Sequence, residues 1–574
     1  MTERLNWIFL VCNIIILTAA LLMWIKKRAD GVESLCDSGE APGLCTWKEL
    51  LVFTAVCLLA LGIRLWRFGS IPAGMNQDGA MAAVDAKALA EHGTDRYGML
   101  FPVHFTAWGF GQMSVLLSYC MVPFIKLFGM NSITARLPIL IASMAGMVAM
   151  YFVVRRLLGV RAAQIALLLT AFNPWHFLQS RWALDCNMLP HMFILGLLFL
   201  LEGLNGRRWY VYLSMVFFAL CMYSYGIAFY TVPVFLAVMA IYNFEQGVMK
   251  WQDVLLSAGV YLLISWPIYL TMLINTLGLP TIETPFFTIP FFPYSVRSRD
   301  ILFFSDAPQK QLLSNLQSLM HTIAYGDNAR WNTIPGFGTI NLCFVPFIFL
   351  GLYFIINLLR KERSSVRKIE LLSLISFFGV GVLAGLITKN VNVNRANMIL
   401  YPNIILAAAG IYFVYLNSKM LFNAIVQTFV ILSALLVITY FTDYAEEVAP
   451  YFYSEFLEAV EYVGQAPGCD RYVITPDTQY PGAKNVSEIL TLYAHQVDAE
   501  YYQGMYPDEN GRVYFEKYTY ANVSVIGVAE DNVVGYVITA NERDLFDTDD
   551  YEIIPFGNYC AVVPESPTES SREK

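Results

Sequence analysis

The chain has 574 residues, 57% of them apolar and only 14% charged. Soluble globular proteins carry about 25% charged and about 45–50% apolar residues, so composition excludes an ordinary soluble enzyme, a disordered chain and a nucleic-acid binder. The net charge of −8 is a cancellation: residues 445–574 hold 24 acidic and 7 basic side chains, the remaining 444 residues 21 and 30.

In chain order the candidate membrane spans are 5–25, 49–66, 133–154, 161–178, 187–205, 209–223, 226–243, 251–274, 339–359, 369–388, 398–416 and 420–441. Each approaches the roughly 20 apolar residues that cross about 30 Å of hydrocarbon as a helix. The first is too long for a cleavable signal, and Trp24 followed by Lys26, Lys27 and Arg28 is a stop-transfer flank. A thirteenth apolar run, 113–129, decides the topology. Left out as a span, it puts Lys26–Arg28, Arg155/Arg156/Arg161, Arg207/Arg208, Lys250 and Arg360–Lys368 all on the cytoplasmic side. It is therefore read as a juxtamembrane or re-entrant segment. The N-terminus, two long loops (67–132 and 275–338) and the acidic tail then face outward.

Ionisable side chains are scarce inside the spans, His191 being the main exception, which argues against an ion-coupled transporter. Polar residues gather in the outer loops instead. The first cluster runs from Asn76 through Asp78 to His92, then Asp95 and Arg96. Asp78 at a helix start reads either as an N-cap or as a reactive carboxylate. His104, Trp108 and Gln112 follow in the same loop. The second cluster is Asn173-Pro174-Trp175-His176 with Arg181 and Asp185, which stand at i,i+4 and could simply pair. Asp327, Trp331 and Asn332 combine polar edges with an aromatic face, as sugar contact requires. The last link carries Asn394 and Arg395, the arginine being an interfacial anchor or a bidentate clamp on phosphate.

The tail, 445–574, reads as a small α/β domain with helices at 452–465 and 487–496 and strands at 471–475, 523–527, 534–539 and 559–563. Cys469 and Cys560 share this domain, and a disulfide between them is open.

The runs NQDGAMAAVDAKALAEHGTDRYG (76–98), NPWHFLQSRWALDCNMLP (173–190), GDNARWNTIPGFG (326–338) and NVNRANMILYP (392–402), in that order and spacing, resemble glycosyltransferase family 39. That family holds the bacterial relatives of protein O-mannosyltransferases and aminoarabinose transferases within the glycosyltransferase C superfamily. The likeness covers about 48–440. It implies a polytopic α-helical membrane protein with a glycosyltransferase C-type core at 48–444. An extra helix and cytoplasmic loop at 1–47 precede the core, and a small extracytoplasmic α/β domain follows at 445–574. It implies transfer of a sugar from a polyprenyl-phosphate donor to a cell-envelope acceptor (protein, glycan or lipid) at the outer face of a bacterial cell membrane, with no nucleic-acid partner. The rival readings are a lipid-linked oligosaccharide flippase and an envelope glycan polymerase or ligase.

The resemblance makes Asp78 the catalytic base. Gly79 stands where the family carries Glu, so a metal site built on a second carboxylate lacks that residue; no cofactor is certain, and a divalent metal stays open. In an inverting displacement one carboxylate takes the acceptor proton while the leaving group departs opposite. A phosphate leaving group needs cations and donors where its charge develops. Arg395, Arg181, Arg136 and Asn394 are the groups expected there. Asp95, His104, Trp108, Gln112, Asp185, Asp327, Trp331 and Asn332 are expected to contact substrate.

Overall fold

The structure is a computed structural model and describes residues 2–29, 45–108, 111–293, 302, 307–479, 482–530 and 533–565. In chain order the elements are α1 (Thr2–Ala29), α2 (Trp47–Leu65), α3 (Gln77–His92), β1 (Phe105–Thr106), β2 (Gln112–Met113), α4 (Leu116–Phe128), α5 (Ser132–Leu158), α6 (Val160–Ala171), α7 (Pro174–Gln179), α8 (Met188–Leu204), α9 (Trp209–Met222), α10 (Ala228–Glu245) and α11 (Trp251–Leu277). There follow β3 (Ile282–Glu283), β4 (Thr288–Ile289), α12 (Pro308–Tyr325), α13 (Val345–Lys361), α14 (Ser365–Ile387), α15 (Leu400–Asn417), α16 (Lys419–Phe441), α17 (Asp443–Val448) and α18 (Ser454–Gln465). The tail adds β5 (Arg471–Ile474), α19 (Lys484–Ala494), β6 (Tyr518–Tyr520), β7 (Val534–Thr539), β8 (Tyr551–Phe556) and β9 (Tyr559–Pro564).

Every predicted span is helical. Among the described residues nine helices are long and apolar enough to cross a membrane. Of the other three, α2 carries Lys48, Glu49 and Arg64, and α6 and α9 have only 12 and 14 residues. The run 113–129 becomes the 13-residue α4, about 20 Å long at 1.5 Å per residue and too short to span. Helix starts follow side-chain caps: Thr46, Ser364 and Ser418 accept backbone N–H groups at the heads of α2, α14 and α16.

The chain divides into two compact units. The first comprises Met1–Phe68, Ile139–Leu273 and Val296–Tyr444. Its tightest crossing joins α13 and α15, where Gly351 and Gly410 face each other's helix: a Cβ on either would overlap the carbonyl of Leu406 or Phe347. Small residues let helix backbones approach this closely inside a bilayer.

The second unit comprises Gly69–Pro138, Ile274–Ser295 and Ala445–Lys574. The acidic tail thus shares its unit with segments of the two long loops, and the chain passes from the first unit to the second between Tyr444 and Ala445, at the boundary expected for the tail. Helix α3 of the first long loop packs on α4 and on α19 of the tail, and Val103 N–H donates to the Thr288 carbonyl of the second loop at 3.0 Å. The tail sheet has the order β6-β5-β7-β9-β8, with β5 parallel to β6 and β7 and the other pairs antiparallel. Residues expected as a strand at 523–527 form a short helical turn, Val523–Ile526, and the strand lies earlier, at β6. Cys469 and Cys560 are both free, so the disulfide is absent.

Candidate functional site

Asp78 is not the cap of α3. Asn76 holds that position, its side chain accepting the Asp78 N–H at 3.0 Å. The carboxylate of Asp78, half-buried in the first helical turn, instead accepts the indole N–H of Trp108 at 2.6 Å. A charge-assisted bond of this length fixes the orientation of the acid. The two residues are 30 apart in sequence, and Trp108 stands between the two strands of the small β1–β2 hairpin that precedes α4. Gln112, in β2, pairs with Thr106 across that hairpin. His104 is buried at 3% exposure beside β1.

Below this pair the loop is held by ions and amides. Arg96 donates to the Asp85 carboxylate at 2.6 Å and to the Thr106 carbonyl at 2.7 Å, with Arg96 and Asp85 both buried. Asp95 takes a different part: its Oδ1 accepts the Tyr97 and Met99 N–H groups at 3.0 and 2.9 Å, and its buried Oδ2 has no hydrogen-bond partner among the described residues. Burial, then the neighbouring Asp85 charge, pushes its carboxyl up to about 7. Asp95 therefore closes the turn after α3, and the contact to substrate expected of it has no surface to act through.

Arg136 and Arg181 also differ from expectation. Both are fully buried. Arg136 donates to the Gly74 carbonyl at 2.6 Å and to Gly69, pinning the segment that leads into α3. Arg181 donates to the Tyr440 hydroxyl at 2.9 Å, the Arg67 carbonyl at 2.9 Å and the Arg64 carbonyl. With its nitrogens committed to protein acceptors and its surface covered, Arg181 is a brace for the end of α2 rather than a hand open to phosphate. The Asp185 carboxylate accepts the Cys186 N–H at 2.7 Å.

The remaining groups come together in the first unit. The Asp327 carboxylate accepts Val393 N–H, Asn332 Nδ2–H and Ala329 N–H, each at 3.0 Å, so the second long loop and the Asn392–Arg395 link are joined. Burial, opposed by these donors, leaves its carboxyl above the usual range. Arg395 is half-buried, donates to the Lys389 carbonyl and has its backbone N–H held by Asn392. Trp331 is half-buried next to Asn332 in the second long loop, and the Asn394 side-chain oxygen has no partner among the described residues.

A buried polar chain inside the helical body was not visible in the sequence. Arg64 Nη2 donates to His176 Nδ1 at 3.1 Å, His176 Nε2 meets the Tyr401 hydroxyl at 3.1 Å, and that hydroxyl meets His191 Nδ1 at 3.0 Å. All four side chains are buried at 0% exposure. Because guanidinium only donates, the tautomers follow: His176 carries its proton on Nε2 and donates to Tyr401, which donates to His191. His191 Nε2 is then a donor, without partner among the described residues. The one available signal was His176 in the first turn after an Asn-Pro helix start, together with the solitary intramembrane His191.

For a metal, the described residues offer one grouping of His, Cys, Asp and Glu: Glu91, His92 and Asp498. Asp78 lies outside it, and its carboxylate accepts the Trp108 indole N–H.

Residues 113–270 match the family model described as dolichyl-phosphate-mannose-protein mannosyltransferase. No curated protein sequence matches the chain. Among solved structures, ArnT from Cupriavidus metallidurans bound to undecaprenyl phosphate is similar over 90% of this chain and 98% of its own, with 12% identity and a TM-score of 0.52. The apo oligosaccharyltransferase of Archaeoglobus fulgidus is similar over 86% of this chain and 70% of its own, with 14% identity and a TM-score of 0.49.

Proposed function

We propose that this chain, a multi-pass membrane glycosyltransferase of the family 39 type with the glycosyltransferase C fold, moves a sugar from a polyprenyl-phosphate carrier to a cell-envelope acceptor by inverting displacement. Asp78 is the base. The observation that carries this role is its side chain: Asn76 does the capping, and the Trp108 indole aims the carboxylate. Asp78 takes the proton of the acceptor hydroxyl as its oxygen attacks the anomeric carbon, and the carrier phosphate leaves from the opposite face. Phosphate needs no protonation to depart, so cations and hydrogen-bond donors suffice on that side. Arg395, half-exposed in the last link, is the cation best suited to it. The donor class follows the family model's own description and the undecaprenyl phosphate held by the ArnT structure. The arginine and lysine of the alternate loops support an active face and tail outside the cytoplasmic membrane.

A transfer assay with a panel of polyprenyl-phosphate sugars tests the reading. Asp78→Asn is expected to lower kcat by about 10²–10⁴ with little change in donor KM, and Arg395→Ala to raise donor KM about tenfold. Full turnover by Asp78→Asn would sink the base assignment. Lipid flipping without any sugar transfer by the unaltered protein would favour the transporter.

A further inference from the structure

Helices α9, α10 and α11 of the first unit leave a gap between them. Tyr212 in α9 donates to the Asp253 carboxylate of α11 at 3.3 Å, and Tyr223, just past α9, donates to the Ile264 carbonyl at 2.7 Å. Helix α11 is thereby tied to α9 at two levels, and between them a cleft of about 300 Å³ opens toward α10. It runs from Asn243 to Pro233 along α10 and from Val254 to Leu262 along α11, about 12–15 Å at 1.5 Å per residue. That is half of the roughly 30 Å hydrocarbon core, the depth of one leaflet. Neither Asp78 nor Arg395 lines it.

The polar groups of the lining are turned into the protein. Asn243 donates to the Met239 carbonyl at 2.8 Å, Ser257 donates to the Asp253 carbonyl at 2.7 Å, and the Tyr261 hydroxyl meets that of Tyr269 at 2.8 Å. What remains is apolar surface, with Ala258 and Leu262 exposed along its outer edge. Water gains no hydrogen bonds in such a groove, and a hydrocarbon chain loses nothing there. The mouth lies at the end where Trp209 and Trp251, the first residues of α9 and α11, are 56% and 60% exposed, as aromatic residues are at head-group level. The charge at that end is basic. Arg208 donates to the Val248 carbonyl at 2.6 Å and stands 3.7 Å from the Asp253 carboxylate, which it largely offsets. Arg207 and Lys250, the latter next to the lining residue Met249, are exposed and make no ion pair among the described residues; Glu245 is the exposed acid closest to Lys250 in the chain.

We propose that this groove holds one acyl chain of an anionic glycerophospholipid whose head group meets Arg207 and Lys250. By the distribution of lysine and arginine this is a lipid of the cytoplasmic leaflet. The depth of the groove matches a chain that enters from its own leaflet, whereas a polyprenyl tail anchored at the opposite face would have to cross the midplane to fill it. Binding is read without sugar transfer, so failure of the transferase reading would leave this site standing.

The delipidated full chain in detergent is titrated with dioleoyl phosphatidylglycerol, dioleoyl phosphatidylcholine and undecaprenyl phosphate, and the lipid retained is counted by native mass spectrometry. One phosphatidylglycerol is expected to be held about tenfold more tightly than phosphatidylcholine. Lys250→Gln should reduce that preference about fivefold and leave phosphatidylcholine unchanged. Ala240→Phe, which fills the groove from the α10 wall, should weaken retention of phosphatidylglycerol at least about tenfold. Leu263→Phe, 74% exposed on α11 and outside the groove, should not. If Ala240→Phe does not fold, Ala258→Phe on the exposed edge takes its place. The proposal is overturned if the two phospholipids are retained equally, or if filling the groove leaves phosphatidylglycerol in place. It is overturned equally if undecaprenyl phosphate, and not phosphatidylglycerol, is the lipid that the filled groove loses.

Discussion

Near the start of α2, Glu49 accepts from the Tyr151 hydroxyl at 2.8 Å and from Arg155, whereas at the far end of the same helix Arg64 donates to the Ala60 and Ala171 carbonyls and to His176. The first end repeats in Arg156 and Arg367, which share the buried Glu370, Arg156 reaching Glu202 as well. The two arrangements satisfy the same guanidinium geometry with different electrostatic results. A carboxylate cancels the charge it binds. Carbonyl oxygens and an imidazole bind the N–H groups and leave the charge in place. The acid-paired arginines are therefore fastenings, and the carbonyl-held Arg64 is a source of positive potential inside the body. In the proposed transfer reaction the leaving group is a phosphate, and this distinction bears on where its charge is met.

The sharpest way to break the comparison is to remove the shared acid. Glu370→Gln removes the acid that Arg156 and Arg367 share, leaving Arg156 with Glu202 and Arg367 with the Arg156 and Leu157 carbonyls, and losing one partner of a buried pair costs about 3–5 kcal/mol. Thermal unfolding in nanodiscs should show that loss, with transfer by the folded fraction unchanged. Arg64→Met should cost less, because it leaves no counter-charge unpaired and only deprives the Ala171 carbonyl and His176 Nδ1 of a donor, at about 1–3 kcal/mol. Its expected signature is a smaller fall in melting temperature than that of Glu370→Gln and a several-fold rise in donor KM. If Arg64→Met unfolds the chain and Glu370→Gln does not, the division between fastening and field is wrong.

Tyr401→Phe probes the middle of the polar chain. It removes the only hydroxyl between His176 Nε2 and His191 Nδ1, stranding a donor and an acceptor at 0% exposure. The expected cost is about 1–3 kcal/mol. Gly146→Ala should act on the same point, since its Cβ would collide with the Tyr401 hydroxyl and lie 2.8 Å from His191 Nδ1. Agreement between the two variants in unfolding midpoint would assign the effect to the chain rather than to either residue.

What could be read from sequence follows the same line. Apolar runs report themselves, so the membrane helices and the short α4 were legible from composition and length. The partners of the arginines were not: Arg64 meets Ala171 at a separation of 107 residues, and a carbonyl acceptor leaves no mark in sequence. The cap of α3 turned on two residues of register, since Asn76 and Asp78 are both capping types and only the backbone geometry separates them. In the tail, β7 and β9 were legible as apolar runs. Strand β8 was hidden by Pro555, which its place at the sheet edge tolerates. Asp327 was legible as a polar loop residue, but its joining of two loops through the Val393 N–H was not.

The acids of the second unit extend the comparison to pH. Asp95 is held by backbone N–H groups, and burial beside Asp85 raises its carboxyl to about 7. The folded state thus keeps a proton that the unfolded chain gives up near 3.9. Its contribution is complete below that value and is lost as pH rises toward 7, so the melting temperature should climb on acidification from pH 7 to 5. Asp95→Asn should flatten that slope. Asp498 has an imidazole partner instead: burial works against its charge, but the His92 ring at 3.0 Å and two backbone donors prevail and hold its carboxyl below the usual range. Its contribution is present above about 3.9 and disappears as pH falls through the lowered value. The pair is partly exposed, which limits its worth to under about 1 kcal/mol. Asp498→Asn should therefore lower the midpoint slightly at pH 5–6 and leave it unchanged near pH 2. Opposite slopes in these two variants, read in one set of melting curves, are what separate an acid held by amides alone from an acid held by an imidazole as well.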